Sequence, residues 1–115
     1  MRVIAVAVVS LGAVVALALP AAAQDKAKID QGMTLFTSQK CALCHSVGPK
    51  GNKKGPLDEV GSKLKAEEIR QWIADPDDMR AKTKSTRTPP MKATKLVKEQ
   101  IDALVAYLQT LKAGH

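Results

Sequence analysis

Three sets of apolar residues along the chain are spaced three or four positions apart, as on one face of an α-helix. The sets are Ile29, Met33 and Phe36; Ile69, Trp72 and Ile73; and Val97, Ile101, Leu104, Leu108 and Leu111. They predict helices over roughly residues 26–38, over residues 66–74, and over a last stretch that ends just before Gly114. Gly32 shares the inner face of the first helix, and Met33 is expected to pack in the core.

The segments between these helices are rich in residues that interrupt regular structure. The stretch GPKGNKKGPLDEVG, residues 48–61, is unsuited to a long helix or strand. Pro76 is expected to end the helix at residues 66–74, because the residue before a proline is steered out of the helical region. Residues 77–90 are polar and loop-like, and no stretch alternates as a strand would. The predicted fold is all-α, with three or more helices and a long loop on each side of the helix at residues 66–74.

The N-terminal stretch has the order of an export signal. Arg2 gives a positive start, a long apolar run follows, and Pro20 precedes three alanines that match a small-residue cleavage site. We expect cleavage after Ala23, so that residues 1–23 are a secretory signal peptide and residues 24–115 form one periplasmic domain. An uncleaved anchor is the alternative, because the apolar run is about long enough to span a bilayer.

The domain that follows has few large side chains. Without the 23 signal residues the 115-residue chain keeps 92, and Phe36, Trp72 and Tyr107 are its only aromatic residues. A domain of this size is close to the lower limit for a self-sufficient hydrophobic core. Many such domains are completed by a disulfide, a metal or a cofactor. We therefore expect a group other than the side chains to complete this core.

The charge of the domain is strongly positive. Removal of Arg2 leaves 17 basic residues against 11 acidic ones, a formal charge of +6. Such a charge favours acidic partners and speeds encounter with them. Export argues against nucleic acid as the partner, and many of the lysines serve only to solvate the surface.

Both cysteines of the chain lie in the motif CALCH, in which Cys41 and Cys44 are followed directly by His45. A structural zinc site needs four ligands, and only His115 is left to complete the set. A redox dithiol fits the spacing, but the thioredoxin type belongs with a βαβ pattern that the chain lacks. Haem attachment uses all three residues, since the thiols bond to the haem and the histidine coordinates the iron. We favour haem, which would also complete the core, and keep the other two interpretations as alternatives.

Four stretches of the domain, GMTLFTSQKCALCH, GPL, EEIRQWIADP and EQIDALVAYLQTLK, resemble the class I c-type cytochromes. The resemblance covers essentially all of residues 24–115. It implies a cytochrome c-like fold of helices packed around one haem c, bound covalently through Cys41 and Cys44 with His45 as an axial iron ligand. It also implies that the first and last helices cross at close range, with Gly32 and Phe36 against the last helix.

The second axial ligand of the iron is expected to be a methionine. Met91 is favoured because the two prolines before it stiffen its approach. The family also carries its methionine in the loop before the last helix, where Met91 sits. Met79 is the second choice, because the carboxylates just before it make a poor lining for an apolar crevice. His115 or an open position are the remaining options.

The resemblance implies further contacts around the haem. In the family the histidine ligand donates to the backbone carbonyl of the proline in a GP pair, which here is Pro56. Trp72 would lie near a haem propionate, although a lone tryptophan at helical spacing is more often simply part of the core. Lysines near the exposed haem edge would steer docking, and the candidates by position are Lys40, Lys50, Lys53, Lys54, Lys92 and Lys95.

These features predict a periplasmic carrier, not an enzyme, that passes one electron at a time between a donor and an acceptor. Redox proteins with acidic docking patches fit as partners: a quinol-oxidising complex, a terminal oxidase or a dedicated dehydrogenase. We expect a monomer that binds no nucleic acid and meets the membrane only through its partners or an uncleaved signal. The alternatives are a haem-based ligand sensor or weak peroxidase with a labile sixth ligand, and a haem-free thiol–disulfide oxidoreductase.

Overall fold

The computed structural model describes residues 7–8, 10–15 and 21–114. About half of the signal peptide expected at residues 1–23 therefore falls outside the described residues, and its cleavage stays a prediction. In the part of the chain that the structure describes, none of the helices combines the length and the apolar character that a bilayer span requires.

Helices make up most of residues 21–114. They are α1 (Ala21–Ser38), α2 (Val60–Lys63), α3 (Ala66–Ala74), α4 (Pro76–Thr83) and α5 (Lys98–Gln109). A 3-10 turn, Cys41–Leu43, follows α1. Two strands of two residues each, β1 (Ser46–Val47) and β2 (Lys50–Gly51), form an antiparallel pair, which is too short to leave an alternating pattern in the sequence. The predicted all-α fold is confirmed.

The close crossing of α1 and α5 depends on a glycine. A Cβ at Gly32 would lie 2.6 Å from Cβ of Tyr107 and would overlap the backbone carbonyl of Ala103. One turn further along α1, Phe36 meets Tyr107 edge to face, with the ring centroids 6.0 Å apart. The first and last helices therefore pack as the family resemblance implied.

The hydrophobic core lies between α1, α3 and α5. Its buried members are Leu35, Phe36, Ile69, Ile73, Ala103, Leu104, Val105, Tyr107 and Leu108. The expectation that Met33 packs in the core is wrong, because its side chain is 49% exposed. Met33 lies about 100° around the helix from Gly32, and Gly32, Leu35 and Phe36 are the buried positions of α1.

The interpretation of residues 77–90 as loop is wrong for their first half, where α4 forms. Pro76 ends α3 as predicted, but it also starts α4, since a proline at the first helical position has no intrahelical N–H bond to lose. The carboxylate of Asp75 accepts a hydrogen bond from the backbone N–H of Asp78 at 3.1 Å and caps the new helix. The second half of the predicted loop is confirmed, because the segment 84–97, between α4 and α5, runs without regular structure.

Candidate functional site

A cavity of about 840 Å³ opens beside the core. It is bounded by all five helices, the 3-10 turn and the segment 84–97. Its apolar lining includes Phe36, Leu57, Val60, Leu64, Ile69, Trp72, Ile73, Leu104 and Leu108. Ligand pockets in proteins usually measure about 300–1,000 Å³ and are mostly apolar, so this cavity has the volume and the lining of a cofactor site.

The CALCH motif reaches the cavity because the chain turns tightly after α1. Lys40 adopts the left-handed conformation, with φ at 59°, and the 3-10 turn follows at once. Within that turn the backbone N–H groups of Cys44 and His45 both donate to the carbonyl of Cys41, at 3.1 and 3.0 Å. Cys41, Cys44 and His45 all line the same cavity as a result.

His45 is oriented by a backbone carbonyl. Its Nδ1 lies 3.1 Å from the carbonyl oxygen of Gly55, and since that oxygen can only accept, Nδ1 donates. In the neutral ring this leaves Nε2 with a free lone pair, the form in which a histidine binds a metal. Burial lowers the pKa of His45, against the opposing effect of the Gly55 hydrogen bond, and the charge of Arg87 lowers it further.

The expected acceptor for His45 was the carbonyl of Pro56, and this detail needs correction by one residue. Ser46 pairs with Pro56 in a parallel bridge, in which its N–H donates to the Gly55 carbonyl at 3.0 Å and its own carbonyl accepts from Leu57 at 2.8 Å. That register brings the carbonyl of Gly55, not of Pro56, to the imidazole. Pro56 itself lines the cavity.

The three methionines considered as ligands or core residues lie in different environments. Met91 is half-buried and lines the cavity together with Pro89 and Pro90. Met79 is buried in α4, with 5% of its surface exposed, and does not belong to the residues that line the cavity. Met33 is turned towards solvent. The geometry thus brings Met91, and not Met79, into the cavity with His45.

Basic residues surround the cavity, although they are only partly those expected. Lys40 and Lys92 contribute to its lining, whereas Lys50, Lys53, Lys54 and Lys95 do not. Three further basic residues line it that the sequence did not single out: Lys63, Arg80 and Arg87. The loop predicted at residues 77–90 gave no reason to expect Arg80 at the site. A single arginine in a loop, such as Arg87, carries no periodic signal. Trp72 lines the cavity and is half-buried.

The environment of the Cys41 thiol differs from that of a catalytic thiol. Cys41 and Cys44 are both free, and burial raises the pKa of the Cys41 thiol. Catalytic thiols of disulfide oxidoreductases instead need a lowered pKa, because the thiolate is the nucleophile. Across the described residues, no group of three or more His, Cys, Asp or Glu side chains is arranged to hold a metal ion.

Comparison with known proteins identifies the family. The family model for cytochrome c matches residues 29–112, and the chain belongs to the cytochrome c family. Haem c is the cofactor that this family implies, and it fits the site: the cavity has an apolar lining, two free thiols and an imidazole with one unengaged nitrogen. The chain is therefore an electron-transfer haem protein of the class I c-type cytochromes.

Two curated relatives are similar to a large part of the chain. Subunit 2 of cytochrome c oxidase from Bacillus subtilis is 32% identical over 106 residues, which cover 80% of this chain and 28% of that protein. The subunit of the same name from Alkalihalophilus pseudofirmus is 29% identical over 92 residues, or 72% of this chain and 25% of the relative. The chain thus spans about a quarter of the length of these relatives. No solved structure matches it significantly.

Proposed function

We propose that the protein is an exported carrier that binds one haem c and passes single electrons between two redox partners. The observation that carries the proposal is the shared cavity, which is lined by Cys41, Cys44 and His45 from the turn after α1 and by Met91 from the segment before α5. His45 and Met91 together would supply two protein ligands to the haem iron. An iron held in this way would exchange electrons without binding a substrate, so we propose a carrier and not an enzyme.

Each residue of the site has a separate part in this function. The thiols of Cys41 and Cys44 would hold the haem through thioether bonds, and the imidazole of His45 and the thioether of Met91 would coordinate the iron. When bound, the haem supplies an iron that alternates between Fe(III) and Fe(II). The Gly55 carbonyl fixes the plane and the tautomer of His45, and the apolar side chains keep water away, which favours the less charged reduced state.

The basic residues at the cavity favour a partner with an acidic surface. Five cationic side chains belong to its lining: Lys40, Lys63, Arg80, Arg87 and Lys92. We propose that they dock the protein onto a terminal oxidase, because both curated relatives are subunits of cytochrome c oxidase. In those relatives the similar region is about a quarter of a longer chain. Export to the periplasm fits a carrier of this kind.

The decisive experiment is expression in a host that attaches haem covalently, followed by absorbance spectra of the oxidised and reduced protein. We expect haem that remains with the polypeptide after denaturation, and a methionine–iron charge-transfer band in the oxidised state. A polypeptide without haem would contradict the proposal and favour the haem-free alternative, a thiol–disulfide oxidoreductase.

The methionine ligand is tested by two single substitutions in the same background. Met91→Ala should abolish the charge-transfer band and let the iron bind imidazole or carbon monoxide, whereas Met79→Ala should leave the band in place. If Met79→Ala alone removes the band, the assignment is reversed. If the unsubstituted protein has no band and binds carbon monoxide readily, it is a ligand sensor or a peroxidase.

The docking proposal predicts a dependence on ionic strength. Raising the salt concentration from about 10 mM to about 150 mM shortens the Debye length from about 30 Å to about 8 Å. The rate of electron transfer to the terminal oxidase should fall over this range, because exposed opposite charges attract one another less. A rate that does not change with salt would contradict electrostatic docking, while leaving haem binding untouched.

A further inference from the structure

We propose that Arg87 is a positioning residue, which fastens the segment that carries Met91 to the backbone of the CALCH turn. The inference rests on the proposed function, because it concerns how firmly Met91 is held as an iron ligand. Arg87 lies four residues before Met91 and lines the same cavity.

Few side-chain hydrogen bonds hold the segment 84–97 in place. Among the described residues, two of its side chains form hydrogen bonds to parts of the chain that precede α4. Arg87 Nη2 donates to the carbonyl of Cys44 at 2.6 Å, and Thr94 Oγ1 donates to the carbonyl of Ile73 at 3.4 Å. Met91 lies between Arg87 and Thr94 in the chain, and the hydrogen bond of Arg87 is the shorter of the two.

The guanidinium of Arg87 also packs closely on a glycine. Gly55 is buried, and a Cβ at that position would overlap both terminal nitrogens of Arg87 as well as the carbonyl of Cys44. The same Gly55 accepts the hydrogen bond from His45. Arg87 therefore contacts the backbone of the site at two points: the carbonyl of Cys44, and Gly55, the residue that orients the histidine.

The segment between Arg87 and Met91 is short and stiff enough to transmit this attachment. Pro89 and Pro90 stand between them, and each has a fixed φ angle. An arginine suits the position better than a lysine, because its planar fork can donate to one carbonyl while the rest of the plane lies against a flat backbone surface. Loss of the guanidinium would leave Met91 tethered mainly through Thr94.

The consequence can be measured as competition for the iron. Imidazole added to the oxidised, haem-loaded protein displaces a weakly held methionine, and the loss of the charge-transfer band reports its affinity. We expect Arg87→Met to raise the apparent imidazole affinity about ten-fold, which corresponds to about 1.4 kcal/mol. Arg87→Lys should give a smaller increase, since the ammonium can still donate to the Cys44 carbonyl but cannot cover Gly55.

Lys84→Met is the matched control. It removes a positive charge from the start of the same segment, at an exposed residue that does not line the cavity, and should change the imidazole affinity less than two-fold. Equal effects of Arg87→Met and Lys84→Met would overturn the proposal in favour of a general charge effect. An Arg87→Met affinity within two-fold of the unsubstituted protein would overturn it as well.

Hydrogen–deuterium exchange separates positioning from a general loss of stability. In Arg87→Met, exchange should become faster in peptides from residues 84–97 and stay unchanged in α1 and α5. Equal acceleration in α5 would mean that Arg87 only supports the fold, and would contradict the proposal. If Arg87→Met does not mature, Arg87→Lys is put to the same two measurements. Absence of covalent haem in the unsubstituted protein would refute the proposed function itself, a result distinct from unchanged imidazole affinity.

Discussion

Gly32 is the residue on which the packing of the two longest helices depends. The atoms that a side chain would meet include the carbonyl of Ala103, and a backbone carbonyl in the middle of α5 cannot rotate out of the way as a flexible side chain can. The two helices would have to separate, which would loosen the contact between Phe36 and Tyr107. The absence of a side chain at Gly32 thus allows α1 and α5 to approach this closely.

Gly32→Ala should therefore lower the stability of the protein, although alanine is the better helix former. Helix propensity would gain up to about 1 kcal/mol, but overpacking typically costs about 1–3 kcal/mol, and a clash with the backbone belongs at the upper end. We expect a net loss of about 2 kcal/mol in the free energy of unfolding, measured by denaturant titration. Thr34→Ala, an exposed change in the same helix, is the control and should stay within about 0.5 kcal/mol. Equal stability of the two variants would contradict the close crossing.

Among individual residues of the site, some could be predicted from the sequence better than others. CALCH is a local motif, so Cys41, Cys44 and His45 could be predicted as a group, and the structure brings them to one cavity. The partner of His45 depends on the register of a two-residue bridge, which no local pattern encodes, and the prediction missed it by one residue. Arg87 contacts a residue 43 positions away in the chain, and no sequence signal could reveal this contact.

Among the elements, α4 is the one that the sequence concealed. Its residues PDDMRAKT include only two buried side chains, Pro76 and Met79, so no apolar stripe marks it as a helix. The signal that was available lies at its start, where Asp75 and Pro76 occupy the N-cap and first helical positions. The same proline that ends α3 thus begins α4. A prediction based on apolar spacing alone identifies the end of α3 but not the start of α4.

Removing the cap should test how α4 is started. Asp75→Ala deletes the acceptor for the N–H of Asp78 and should cost about 1 kcal/mol, the usual effect of losing an N-cap. Asp75→Asn keeps an acceptor oxygen and should restore most of this stability. Denaturant unfolding of the three proteins is the measurement. A loss in Asp75→Asn as large as that in Asp75→Ala would show that the charge matters and the cap does not.

A second prediction at this scale concerns the ion pair between α3 and α5. Asp102 is hydrogen-bonded by Lys98, at 3.0 Å, and contacted by Arg70 across the helix interface. These partners, with Lys98 the larger influence, hold the pKa of the Asp102 carboxyl below its ordinary value of 3.8. Because the folded-state pKa is depressed, the stabilisation is fully present above that ordinary value and is lost as the pH falls through the folded-state pKa.

Asp102→Asn should accordingly be less stable than the unsubstituted protein at pH 7, and the difference should shrink as the pH falls below about 4. Thermal unfolding of both proteins across this range is the measurement, with the difference in midpoint as the readout. A difference that is the same at pH 3 and at pH 7 would assign the loss to packing, not to charge.

For the molecule as a whole, the fold class could be predicted well from the sequence. Each of the three sets of apolar residues lies within one short stretch of chain, so its helical spacing can be recognised without knowledge of the packing. α3 has the predicted bounds, and the last set of apolar positions coincides with α5 over most of its length. The expectation of an underfilled core also depended only on composition. The position of the resulting cavity could not be predicted from composition. The cavity is lined by residues between Phe36 and Leu108 and depends on how elements distant in the chain pack together.

The last prediction concerns what happens to this domain without haem. An apolar cavity of about 840 Å³ cannot stay dry and open in so small a domain, since its lining would lose packing contacts and gain contact with water. We expect protein made without haem attachment, or with Cys41→Ser and Cys44→Ser together, to lose the cooperative thermal transition of the haem-loaded form. Circular dichroism in the far and near ultraviolet would show helix content partly kept and fixed tertiary packing lost.

Haem-loaded Met91→Ala is the control for this experiment, because it should keep the covalent haem and hence the filled core while losing one iron ligand. It should still unfold cooperatively, at a lower temperature than the unsubstituted protein. If the haem-free form instead unfolded cooperatively at the same temperature as the haem-loaded form, the side chains alone would be enough to form the core. The haem would then serve only electron transfer, and the scarcity of aromatic residues would need another explanation.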